Sequence, residues 1–113
     1  MRQREIWLVN LDPTIGSEIR KTRPCVIVGD DAIGILPLKL VAPLTNLKER
    51  YHRVPWMVVL TPDAVNSLAK PSALDLFQVR CLSEERLVRK IGEITSLELA
   101  QVQVALKTVL GIP

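Results

Sequence analysis

The chain has 113 residues, of which 48% are hydrophobic and only 4% aromatic, and 15 basic against 12 acidic residues give it a formal net charge of +3. That length predicts one domain over 1–113 with an aliphatic core, and the composition excludes a disordered polymer. No apolar run approaches the roughly 18 residues of a membrane span, and the mild basicity favours an anionic partner without singling out nucleic acid.

Residues 5–10 (EIWLVN) alternate and are rich in strand formers, so they read as a first strand. LDPTIGSE follows with Asp-Pro and Gly, a loop by its turn chemistry. Residues 24–29 (PCVIVG) form the near-continuous apolar run of a strand buried on both faces, and Arg20, Lys21 and Arg23 crowd its mouth. After a GDDAIG turn, residues 35–45 (ILPLKLVAPLT) form another strand region in which Pro37 and Pro43 mark edges or bends. Residues 54–61 (VPWMVVLT) read as a further buried strand. Thr61 as N-cap and Pro62 behind it predict a short helix over TPDAVNSLAKP. SALDLFQVRCL (72–82) alternates and is expected to close the sheet.

Ser83, Glu84 and Glu85 predict a short helix to about Arg89. Thr95 and Glu98 form a capping box, behind which Leu99, Val102, Leu106 and Val109 share one helical face until Gly111 and Pro113 stop the helix. The pattern predicts an α+β, strand-dominated domain: about five strands in one curled sheet with a helix laid across it. Cys25 and Cys81 both fall in apolar strand-like segments, and the N-terminal residues have no signal-peptide pattern. Two buried free thiols in a cytoplasmic protein are therefore expected.

The ordered set EIWLVNLDP, GSE, RPCVIV, APLT and LFQVRCLSEERLVRKIGEI resembles the MazF/PemK toxin family over essentially the whole chain. The resemblance implies a small SH3-like curled β-barrel with a C-terminal helix, as in the CcdB and MazF toxins, paired into a homodimer. It implies sequence-specific cleavage of single-stranded messenger RNA without a metal or other cofactor, and neutralisation by a cognate antitoxin. It also implies site residues. Arg23, directly before proline, and Thr45, at the end of APLT, match the family's key pair. Gly16, Ser17 and Glu18 match a loop that contacts RNA, and Gln78 and Arg80 match its Q-x-R segment. Phe77 stands where some members have an acidic residue, and Asp75, two positions back, is the nearest carboxylate. On a continuous strand it would share that face.

The residues suit RNA scission through attack of the 2′-OH on its own phosphate. A guanidinium matches phosphate oxygens bidentately, so Arg23 stabilises the developing charge and donates a proton, Thr45 hydrogen-bonds beside it, and Glu18 or solvent accepts the proton. Arg20 and Lys21 would hold the RNA backbone. Tyr51 and His52, in the basic loop LKERYHR, could stack on a base and meet a phosphate. An acidic, partly disordered antitoxin segment would compete for the same basic groove. Asp30-Asp31 reads as a turn rather than a metal site. Taken without the family, Arg23 reads more often as a solvated strand flank, Thr45 equally as a strand end, Ser17 and Glu18 as residues that shape a turn, and His52 as a surface loop residue. A non-catalytic nucleic-acid-binding β-barrel and a cleavage-deficient toxin homologue are the alternative functions. A CcdB-type gyrase poison fits poorly, since Trp7 and Trp56 lie in strand-like segments rather than near the final LGIP.

Overall fold

The computed structural model describes residues 1–113. Seven strands form one sheet: β1 (Glu5–Asn10), β2 (Thr22–Ile27), β3 (Leu38–Asn46), β4 (Met57–Leu60), β5 (Ser72–Asp75), β6 (Arg80–Ser83) and β7 (Leu87–Glu93), followed by helix α1 (Ser96–Leu110). The order is β4-β5-β3-β2-β1-β7 with β6 also on β3, every pairing antiparallel. The barrel is not closed, because β4 and β7 each have a single neighbour. No helix is long and apolar enough to cross a membrane.

The pleat explains the apolar run of β2. Val26 and Val28 point to one face and Cys25 and Ile27 to the other, and both faces are covered. One layer, with Ile6, Val26, Leu44, Leu74 and Leu76, lies under Val102 and Ala105 of α1. The other gathers Val9, Leu11, Cys25, Ile27, Val41 and Leu82. The capping box forms as expected: Glu98 N–H donates to Thr95 Oγ1 at 3.1 Å, Thr95 N–H donates to Glu98 Oε1 at 2.8 Å, and Gly111 ends α1 at φ 69°.

Several local expectations are corrected. The segment at 61–71 is not helical; the Asn66 side chain, 1% exposed, accepts from the N–H groups of Asp63 and Leu68 and donates to the Thr61 carbonyl, competing with helical bonds. The strand at 54–61 is only the four residues of β4, preceded by a 3-10 turn at Glu49–Arg53. The 72–82 run is two strands, because Asp75 Oδ1 accepts from Phe77 N–H at 3.0 Å and turns the chain through Leu76–Gln78. The helix expected from Ser83 is one turn, Glu84–Arg86, and β7 follows, paired with β1 through two register shifts. Pro43 marks no edge: it sits in central β3, between the stretch paired with β6 (Leu38–Val41) and that paired with β5 (Leu44–Asn46), where its missing N–H goes unneeded. Of the two thiols expected to be buried, only Cys25 is; Cys81 is exposed, and both are free.

Glu5, 8% exposed, accepts from Trp7 Nε1 at 2.9 Å and from Arg2 N–H at 3.0 Å. Burial opposes its ionisation, but these bonds and the N-terminal ammonium outweigh burial and hold the pKa at about 2 instead of 4.5. A depressed carboxylate contributes stability that is present above pH 4.5 and lost as pH falls toward about 2. Glu5→Gln should therefore cost on the order of 3 kcal/mol at neutral pH. Its thermal midpoint should converge with that of the parent protein in a titration down to pH 2, and parallel curves would remove Glu5 from this role.

Candidate active site

The loop between β1 and β2 is organised by bonds to distant residues. Leu11 N–H donates to the Lys21 carbonyl at 2.9 Å, closing its base. The Gln78 side chain clamps its tip, accepting from Ile19 N–H at 2.6 Å and donating to the Ser17 carbonyl at 3.3 Å. Arg80 Nη1 donates to the Leu11 carbonyl at 3.3 Å, and Arg86 Nη1 donates to the carbonyls of Asn10 and Asp12. Glu18 Oε1 accepts from Ile15 N–H at 2.7 Å, and Gly16 supplies a left-handed turn at φ 60°. Lys21 adopts φ 71°, unusual for a residue with a Cβ, at the point where the chain enters β2.

Two clefts flank this loop. The first, of about 260 Å³, is lined by Lys21, Arg23, Thr45, Asn46, Lys70 and Ser72, together with Thr22, Pro24 and Leu44. Three of its lining residues are cations, none is a carboxylate or imidazole, and none of the three cations is in an ion pair. The β2–β3 register pairs Cys25 with Pro43, and Arg23 and Thr45, each two residues beyond that pair on its own strand, both line the cleft. Arg23 Nε donates to the Arg20 carbonyl at 3.1 Å, which orients the guanidinium and leaves both terminal amino groups without a protein partner. Unpaired, oriented N–H donors facing a cleft with three hydroxyl-bearing residues, Thr22, Thr45 and Ser72, suit a phosphodiester. Behind them Cys25 is no nucleophile: burial pushes its thiol up to about 12, despite the positive charges of Arg80 and Arg23.

The second cleft, of about 390 Å³, holds Ser17, Glu18, Pro43, Phe77, Gln78 and Arg80 among its walls. The expected residues therefore divide. Arg23, Lys21 and Thr45 come together; Ser17, Glu18, Gln78 and Arg80 form a separate group across the loop. Glu18 is not brought into the Arg23–Thr45 cleft, because its carboxylate turns back to cap its own loop. Gln78 spends its amide on that loop at both ends. Arg20 is exposed and contributes its carbonyl to Arg23.

Asp75 does not share a strand face with position 77. It is buried, turned onto the Phe77 N–H, and its pKa is raised by burial against the bonds from the Phe77 and Gln78 backbone. Tyr51 and His52 lie on the 3-10 turn after β3 and line neither cleft; the Arg50 guanidinium sits 5.3 Å over the Tyr51 ring, and His52 Nε2 is 3.9 Å from Glu49 Oε2. Lys70, Asn46 and Ser72 were missed. For Lys70 a signal existed: like Arg23, it is a basic residue directly before a proline at a strand mouth. No three His, Cys, Asp or Glu side chains gather as metal ligands would.

The comparisons with known proteins agree with this architecture. A family model described as PemK-like, MazF-like toxin of type II toxin-antitoxin system matches residues 2–110. Endoribonuclease MazF9 of Mycobacterium tuberculosis is 37% identical over 114 residues, covering 95% of this chain and 93% of its own. Endoribonuclease MazF of Staphylococcus saprophyticus is 29% identical over 113 residues, covering 99% and 92%. A solved endoribonuclease in complex with its cognate antitoxin, from a mycobacterial species, shares the fold with a TM-score of 0.79 at 19% identity, covering 100% of this chain and 97% of that one. With the family model spanning nearly the whole chain, the protein belongs to the PemK-like, MazF-like toxins of type II toxin-antitoxin systems.

Proposed function

We propose that this chain, acting as one toxin domain over residues 1–113, is an endoribonuclease that cuts single-stranded messenger RNA at a short sequence, in the cytoplasm, through the RNA's own 2′-OH. The observation that carries the reading is the cleft of Lys21, Arg23 and Lys70 around Thr45, a cationic pocket with no carboxylate to neutralise it. The names of the related endoribonucleases support the same activity.

In the proposed reaction the 2′ oxygen bonds to phosphorus and the P–O5′ bond breaks, leaving a 2′,3′-cyclic phosphate and a 5′-OH. Arg23 hydrogen-bonds the non-bridging oxygens as charge builds on them and stands as proton donor toward the departing O5′. Thr45 Oγ1 adds a neighbouring hydrogen bond. The 2′-OH proton passes to water, since Glu18 faces the other cleft. Lys21 and Lys70 hold the flanking phosphates as point charges.

The antitoxin fits as an acidic segment, partly disordered before binding, that occupies the same cationic cleft and so excludes RNA. The related complex with a cognate antitoxin supports such a partner. The working unit is proposed to be a homodimer. The test is incubation of purified protein with a long unstructured RNA in EDTA, followed by mapping of the new ends. Cuts at one short motif bearing cyclic phosphate and 5′-OH are expected. RNA that shifts on a gel but stays intact would replace this reading with a binding module or a toxin that has lost cleavage.

A further inference from the structure

The second cleft has a feature that the cleavage chemistry does not use. Phe77 is 69% exposed, yet its position is over-determined. Its N–H is bound to buried Asp75 at 3.0 Å. The Trp56 ring lies 5.9 Å away at 58°, and Thr108 and Val109 of α1 share the small cavity behind the pair. The contact with Trp56 steadies the ring and leaves its other face to solvent. That face borders the cleft whose other walls include Ser17, Glu18 and Arg80.

We propose that Phe77 is a stacking platform for one unstacked base of the RNA, and hence a specificity-determining residue; this rests on the RNA reading above. A base needs a flat apolar surface for its face and hydrogen-bonding groups at its edge. Phe77 supplies the first. The second comes from groups the loop has not consumed: the Ser17 hydroxyl, the Glu18 carboxylate oxygen not bound to Ile15, and the Arg80 nitrogens other than the one on the Leu11 carbonyl. The volume of about 390 Å³ admits a purine. The two clefts adjoin along the chain, since Ser17–Ile19 line this one and Lys21–Arg23 the other, while Pro43 lines this one and Leu44 and Thr45 the other. A strand whose phosphates lie on Arg23 can therefore turn a neighbouring base onto Phe77. A protein segment would be served less well, because the cleft sets a carboxylate and a guanidinium, Glu18 and Arg80, among its apolar walls.

The test uses the intact protein and a short RNA carrying the cut sequence, with 2′-deoxyribose at the scissile nucleotide so that it binds without being cut. Kd is measured by fluorescence anisotropy for this RNA and for a panel lacking one base at each position in turn. Phe77→Leu, which keeps apolar bulk against Trp56 but loses the flat face, should weaken binding of the intact RNA about 5- to 100-fold. Phe77→Trp should stay within about threefold. Removal of one particular base should cost the parent protein the same factor and cost Phe77→Leu nothing further. A loss shared equally across every position of the panel would overturn the proposal, as would no loss at all. So would unchanged RNA binding accompanied by lost self-association or lost antitoxin capture, which would assign Phe77 to a protein contact. Parent protein that binds none of the RNAs would remove the RNA reading itself, whereas normal binding with an indifferent Phe77→Leu removes only this inference.

Discussion

Arg23→Ala should lower kcat/KM for RNA cleavage by about 100- to 1,000-fold, the scale of losing an oriented donor to transition-state charge. The loss should fall mainly on kcat, because the contact strengthens as negative charge accumulates on phosphorus. Folding should survive, since the only protein hydrogen bond of the guanidinium is to the Arg20 carbonyl near the surface. Lys70→Ala provides the contrast. It lines the same cleft from the β5 side, beyond the Asn46–Ser72 pair, where it would meet a neighbouring phosphate. Its removal should raise KM about tenfold with kcat nearly unchanged, and should reduce the salt slope of RNA binding by about 0.7. Steady-state kinetics at two salt concentrations on both variants checks this division. A fall in kcat alone for Lys70→Ala would move it into the chemical step, and full activity in Arg23→Ala would remove the cleft as the catalytic site.

The second large effect concerns stability. A Cβ built on Gly92, in β7, would lie 2.4 Å from the Asn66 carbonyl oxygen and 2.7 Å from that of Val65. Both obstacles are backbone, and that backbone is itself pinned: Glu93 N–H donates to the Val65 carbonyl at 3.1 Å, and Asn66 is almost fully buried in its own hydrogen-bond net. Gly92→Ala should therefore cost about 3 kcal/mol or more, the upper end of over-packing penalties. Urea melts of the two proteins measure it directly. A cost under 1 kcal/mol would mean that the 61–70 segment moves away from β7 without resistance.

The same contact shows why the segment at 61–70 could not be read from the sequence. Thr61 and Pro62 carry a helix-start signal, but Asn66 forms its bonds inside the structure, and only the docked strand β7 shows why the backbone must lie flat there. Where alternation or capping chemistry was self-contained, as in β1, β2 and α1, the sequence was sufficient. It failed where one side chain redirected the chain. Asp75 split 72–82 into two strands, and Ser83 capped a single turn rather than a helix. For the site, the resemblance pointed to Arg23 and Thr45, which share a cleft, but could not foresee that Glu18 folds back on its loop or that Lys70 reaches the cleft from the bend just before β5.

The change of partners within β3 sets a ruler between the two clefts. Pro43 borders one and Thr45 the other, and two residues of strand span about 7 Å. Both positions are fixed by neighbouring strands, β2 at Pro43 and β5 at Thr45, rather than by the loop above them. On the proposed reading, the offset between the base that is read and the bond that is cut belongs to the sheet. Changes in the loop could then alter which base is accepted, while the scissile bond keeps its distance from it.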